Sequence, residues 1–353
     1  MQAFRKIDWI STLTTLAIGF AGGTLAHALH LPLAYLMGSL LAVGITAALE
    51  LRPFKRTVFV PPTLRMIFIP IIGVAIGGNF TPQVLAQMPG WWPSLLALLL
   101  YIPLAHWLGY RFYRRFGPLP PATAYFGAVP GGLIESVMLG EEAGADPRLL
   151  VLLQFLRLIL TIFLVPLAFL VLTDIHVAAG MPMKGGGSMT LADLAILTAA
   201  GVTGVLIATR LRFPAAPMTG AIAMSAIVHI AGFTDATPPG WAIAGTQMVV
   251  GTVLGARFAG LPRAHLWLAG RLAFINVAMG LALASLFAFV LSHLTALPAP
   301  AIFLAFAPGG LTEMSLIALS IQLSVVYVTA HHVARIVLSV TVAKAFAHRI
   351  PKG

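Results

Sequence analysis

Two copies of a short motif concentrate the chemistry that this sequence could perform. Pro130-Gly131-Gly132-Leu133-Ile134-Glu135 is matched by Pro308-Gly309-Gly310-Leu311-Thr312-Glu313. Each lies inside an apolar stretch, and each glutamate is followed 22 residues later by an arginine, Arg157 and Arg335. Proline removes a backbone donor and glycine tolerates unusual dihedrals, so each motif reads as a break in a helix. In a membrane the freed backbone groups are tolerated only where protein covers them or a wet cavity receives them. A carboxylate beside such a break can bind a proton or a cation, and the half-helix N-terminus beyond it can bind an anion. The structural alternative is that Glu135 and Glu313 only cap the half-helices. An arginine in an apolar span is costly and needs a partner. Arg157 and Arg335 therefore either form buried ion pairs with the glutamates or hold an anionic substrate with their planar forks.

His331 and His332 precede Arg335 by about one turn, where the other copy has Leu153 and Gln154. Either histidine could relay protons, because imidazole titrates near neutrality; the alternative is a hydrogen-bonded histidine in a polar cavity. Two adjacent histidines make a poor metal site, and none is expected. Gly73-x-x-x-Gly77 and Gly251-x-x-x-Gly255 are read as close helix packing. Trp9, Trp91, Trp92 and Trp241 fall at span ends and read as interfacial anchors.

The elements that must position these residues are transmembrane helices. Of 353 residues 59% are hydrophobic and 9% charged, against about 25% charged in soluble domains, and the mean hydropathy is +0.97. The offset between the motifs is 178 residues (308 − 130), and it also maps Gly73, Gly77 and Phe80 onto Gly251, Gly255 and Phe258. Gly22, Pro32 and Gly38 match Gly204, Pro214 and Gly220 at an offset of 182. The pattern predicts an all-α membrane protein of two homologous halves, residues 1–176 and 190–353, joined by a linker at 177–189 that contains Gly185-Gly186-Gly187. Spans are expected near 9–29, 33–50, 64–80, 92–110 and 149–172, then 190–209, 215–232, 241–257, 266–291 and 323–346. Broken segments are expected near 120–140 and 299–319. Basic turns follow the second and fourth spans of the first half (Arg52, Lys55, Arg56, Arg65; Arg111, Arg114, Arg115) but the first and third of the second (Arg210, Arg212; Arg257, Arg263). If basic turns are cytoplasmic, the halves are inverted. Inversion requires an odd number of crossings per half, hence ten crossings, two re-entrant or broken Pro-Gly-Gly segments and both termini inside. Lys184 is the exception, and parallel halves with twelve spans are the alternative.

Other classes fit less well. The net charge of +11 is scattered over span ends and forms no nucleic-acid patch. No cysteine is present, so disulfides, thiolate metal sites and cysteine nucleophiles are excluded. No Gly-x-x-x-x-Gly-Lys-[Ser/Thr] loop marks a primary pump. Arg5 and Lys6 ahead of an apolar run resemble a signal peptide, but the recurrence of that run favours a retained span.

The duplicated Pro-Gly-Gly motif, the Pro-x-x-x-[Leu/Met]-x-Gly turns and Gly255-Ala256-Arg257-Phe258 resemble the AbrB-type duplicated membrane proteins of bacteria, over nearly the whole chain. Members of that family are labelled either as AbrB regulators or, provisionally, as ammonia monooxygenases, and the resemblance implies no settled activity. The residues favour a multi-pass secondary transporter in the bacterial inner membrane. Its substrate is expected to be a small anionic metabolite coupled to protons or sodium, with no cofactor and no enzymatic step. Its partners would be the bilayer, that solute and, as an open matter, further copies of itself. The alternatives are a membrane-embedded regulator or sensor acting indirectly on gene expression, and a membrane monooxygenase. The latter needs clustered copper or iron ligands.

Overall fold

The computed structural model describes residues 8–172, 189–261, 263–321 and 323–350. The expected linker (Met189 apart), with Lys184 and Gly185 to Gly187, lies outside the described residues, as do Arg5 and Lys6. The helices are α1 (Trp9–Ala28), α2 (Ala34–Ala48), α3 (Thr63–Gly77), α4 (Pro82–Gln87), α5 (Trp92–Phe116), α6 (Pro121–Gly127), α7 (Leu133–Glu142), α8 (Pro147–Leu172), α9 (Leu191–Arg210), α10 (Ala216–Ile230), α11 (Gly240–Ala256), α12 (Arg263–Leu294), α13 (Ala299–Phe306), α14 (Leu311–Ser320) and α15 (Val325–Phe346). Among the described residues there is no strand.

Among the described residues, six helical stretches are long and apolar enough to cross a membrane: α1, the stretch Pro82–Phe116 that ends with α5, α8, α9, α12 and α15. The protein is therefore an all-α, multi-pass membrane protein. The other four expected spans form helices of 15 to 17 residues, α2, α3, α10 and α11. At 1.5 Å per residue these are about 22–26 Å long, less than the roughly 30 Å hydrocarbon core.

Two expectations change. Arg111, Arg114 and Arg115 lie in the last turns of α5, not in a turn. Basic side chains at a helix C-terminus meet its negative dipole end, so the helix continues through them. Trp91 is no interfacial anchor: it is 4% exposed and packs edge-on against Tyr327, with ring centroids 5.3 Å apart. Trp9, Trp92 and Trp241 are exposed.

The chain divides into two compact units, and each takes residues from both expected halves. One unit comprises Met1–Val84, Ile175–Leu261 and Leu319–Ile321. In it α3 packs on α10, and α11 on α2. The glycines make this possible. A Cβ on Gly73 would meet Ala221 and the Met218 carbonyl, and one on Gly77 would meet Ser225. On Gly251 it would strike Ser39 and the Leu36 carbonyl, and on Gly255 the Gly44 amide. Pro32 and Pro214 precede α2 and α10, each of which is entered through a left-handed residue, Leu33 (φ 46°) and Ala215 (φ 50°). The other unit comprises Leu85–Asp174, Pro262–Ala318 and Gln322–Gly353 and contains both Pro-Gly-Gly breaks.

Candidate functional site

Each motif separates two short helices: α6 from α7, and α13 from α14. The first pair turns back on itself. The Asp146 amide donates to the Thr123 hydroxyl at 2.9 Å, so the chain leaves beside the point at which it entered. A Cβ on Gly140 would also lie 3.2 Å from Phe126. Gly132 is left-handed (φ 63°), which ends the break without strain and starts α7.

A break leaves helix C-terminal carbonyls without partners, and buried donors must supply them. For the first break these come from α8. Arg157 donates to the Val129 carbonyl, and Gln154 Nε2 donates to Phe126 O at 2.8 Å. For the second they come from α15. Arg335 donates to the Ala307 and Gly309 carbonyls, and His332 Nε2 to Leu304 O at 3.0 Å. The offset of 178 that relates the motifs also relates Arg157–Val129 to Arg335–Ala307 and Gln154–Phe126 to His332–Leu304. One turn further on, each of these helices reaches the other break. Thr161 Oγ1 on α8 lies 3.5 Å from Pro308 O, and a Cβ on Gly131 would stand 3.1 Å from Ser339 Oγ on α15.

The histidines have fixed partners. Arg335 Nη2 donates to His332 Nδ1 at 2.7 Å, so His332 carries its proton on Nε2 and is neutral. His331 lies 2.8 Å from Tyr327 O through Nδ1 and 2.8 Å from Ser94 Oγ through Nε2. Its Nδ1 proton serves the carbonyl, and Nε2 accepts from the serine. Both are buried. Among the described residues no three His, Cys, Asp or Glu side chains converge. Those described residues thus offer no clustered ligand set of the kind that copper or iron takes.

The glutamates sit at the third position of α7 and α14, and each carboxylate lies over the last glycine of its own motif. Glu313 is 1% exposed and Glu135 is half-buried. Neither Arg157 nor Arg335 makes an ion pair with a carboxylate among the described residues; the arginines bond to backbone carbonyls instead.

A cavity of about 20 Å³, room for about one water, is lined by Pro130, Pro308, Arg157, Tyr101, Asn276 and Gly280. Arg157 donates to a single carbonyl, and its buried Nε has no hydrogen-bond partner among the described residues. Several of its five donors thus remain for a ligand. Sequence reasoning missed Tyr101, Asn276, Thr161 and Ser339. The 178-residue offset pairs Thr161 with Ser339, two hydroxyls, and Asn276 is an amide inside an apolar run. Those signals were present.

Comparison with known proteins agrees with the resemblance drawn from the motifs. The uncharacterized protein YhjN of Bacillus subtilis (strain 168) is 27% identical over 364 residues, covering 96% of this chain and 92% of its own. A protein of Escherichia coli (strain K12), provisionally named regulator AbrB, is 28% identical over 253 residues, covering 69% and 67%. The family described as "Transition state regulatory protein AbrB" matches residues 44–350, and the chain belongs to this AbrB family.

Proposed function

We propose that the protein is a secondary transporter of a small anion, with Arg157 as the substrate-binding cation. The observation that carries this reading is a guanidinium with unused donors in a cavity lined by the prolines of both breaks. α7 and α14 begin three residues after those prolines, and half-helix N-termini favour negative charge. Arg335 likewise leaves its buried Nε without a partner among the described residues, but its two terminal nitrogens serve the Phe306, Ala307 and Gly309 carbonyls and His332, and it acts as a brace. Glu313, buried in a membrane-embedded segment, is the candidate coupling site for a proton or sodium, and Glu135 is its counterpart. The neutral, fully engaged histidines orient groups around the second break. No enzymatic step, cofactor or nucleic acid enters this account.

The topology belongs to the same proposal: ten crossings, two re-entrant Pro-Gly-Gly segments, inverted halves and both termini in the cytoplasm of a bacterium. The return of residue 146 to residue 123 supports re-entry of the first segment. The hydrogen bonds related by the 178-residue offset support duplication, and the basic residues at 111–115 and near 257 support inversion. The short α2, α3, α10 and α11 would cross where the bilayer is locally thin.

A second reading, a membrane-embedded regulator or sensor, is favoured by the family's description and by the name of the Escherichia coli relative. It differs in binding a ligand without flux. The test is a thermal-shift screen of purified protein against small carboxylates, amino acids, inorganic anions and ammonium, at several pH values, with and without sodium. A bound ligand raises the melting temperature by mass action. The expected result is an anion whose shift disappears in Arg157→Gln. Binding that survives this substitution would remove Arg157 from the site.

A further inference from the structure

On another face of the same unit α5, α6 and α15 frame a larger hollow, about 350 Å³ in volume. Its walls are apolar and aromatic: Pro103, Trp107, Tyr110, Tyr125, Val342 and Phe346. The polar group on its floor is satisfied, since His106 is buried and bonds to Tyr125 O at 3.0 Å. No aspartate or glutamate lines it among the described residues.

What distinguishes this groove from an ordinary lipid-facing crevice is one row of α5. Pro103, Trp107, Arg111 and Arg115 are spaced by four residues and so form one ridge, each beside the next, that winds gently around the helix over about 18 Å. Proline and tryptophan line the groove, and the Arg111 guanidinium sits 5.8 Å over the Trp107 ring. Arg111 and Arg115 are exposed. Along the row the surface passes from apolar through aromatic to cationic, the order of hydrocarbon, interface and headgroup in a bilayer leaflet. A guanidinium presents a planar fork that matches a phosphate, and stacking on an indole holds that fork in place.

We propose that this groove binds one anionic phospholipid, its acyl chain along Pro103, Trp107 and Val342 and its phosphate on Arg111 and Arg115. A neutral lipid could occupy the apolar part but would leave both arginines unused. A peptide or a second copy of the chain would need acidic residues to meet them. The proposal rests on membrane insertion alone and is independent of the transport reading.

The full-length protein, purified in a neutral detergent, would be titrated with phosphatidylglycerol and with phosphatidylcholine. Bound lipid would be counted by native mass spectrometry and the melting temperature followed. Wild type is expected to retain phosphatidylglycerol in preference. The double variant Arg111→Gln/Arg115→Gln should lose that preference by roughly 30-fold, since each basic residue near an anionic headgroup contributes about 1 kcal/mol. Val342→Trp, which fills the groove, should lower retention of both lipids. Equal retention of the two lipids by wild type overturns the site, as does an undiminished preference in the double variant. A change of oligomeric state in Val342→Trp with lipid retention intact would make the groove a contact between copies, and would overturn it equally. Should Val342→Trp fail to fold, the arginine variant decides, because its substitutions are on exposed side chains.

Discussion

The two Pro-Gly-Gly breaks have the same local chemistry in different surroundings. At the first, Gln154 and Arg157 supply the freed carbonyls, Arg157 keeps donors in reserve, and α7 shows Ile134 and Met138 at its surface. At the second, His332 stands where glutamine stood, Arg335 is committed to two carbonyls and that histidine, and α14 is buried. Met138 is 58% exposed and its counterpart Leu316 is 0% exposed. A duplicated motif can thus divide its labour. The second arginine is the more fully engaged, although both leave a buried Nε without a partner among the described residues; under the proposed function the first is the cation that meets a ligand.

Paired substitutions at the two breaks test that division. The largest effect is expected for Arg335→Gln. It removes several charge-assisted hydrogen bonds, each worth about 1.5–3 kcal/mol. Arg157→Gln removes one such bond and should cost stability correspondingly less while eliminating ligand binding. Thermal unfolding of the two variants measures this, and equal losses would end the distinction. Next comes Leu316→Ala, expected to cost about 2–5 kcal/mol through a buried cavity. Met138→Ala, on an exposed site, should stay within about 0.5 kcal/mol. Gly132→Ala forces an L-residue into a left-handed position and should cost about 1–2 kcal/mol. Gly309→Ala should also cost stability, because its Cβ would stand 2.6–2.7 Å from three atoms of the fully buried Met314 side chain. The smallest effect is predicted for His332→Gln, which rebuilds the first break's chemistry at the second and should change stability by less than about 1 kcal/mol. His332→Leu, which leaves Leu304 O unpaired, should cost about 1–3 kcal/mol. A large loss in His332→Gln would show that the imidazole does more than Gln154 does.

Much of this was legible in the sequence. The motifs fall at real breaks, because proline and glycine act locally. The long spans were readable because about 20 apolar residues have few alternatives in a bilayer. Three spans, α2, α3 and α10, proved shorter than expected, and in α2 and α10 the left-handed residues Leu33 and Ala215 take up the start of the run. Arg111 to Arg115 continue α5, which a count of apolar residues alone cannot foresee. Trp91 is buried by Tyr327, 236 residues away in sequence, and no local pattern announces such a contact. The arginines were expected either to pair with Glu135 and Glu313 or to hold a substrate. That they bind break carbonyls depends on how α8 and α15 pack, which is tertiary information.

The most direct test of the central claim is a substrate-jump measurement on proteoliposomes, recording the current or solute uptake elicited by the anion that stabilises the purified protein. Saturable flux is expected, lost in Arg157→Gln with the protein still folded and inserted. Binding without any flux would contradict the transport reading and leave a membrane-embedded sensor in its place.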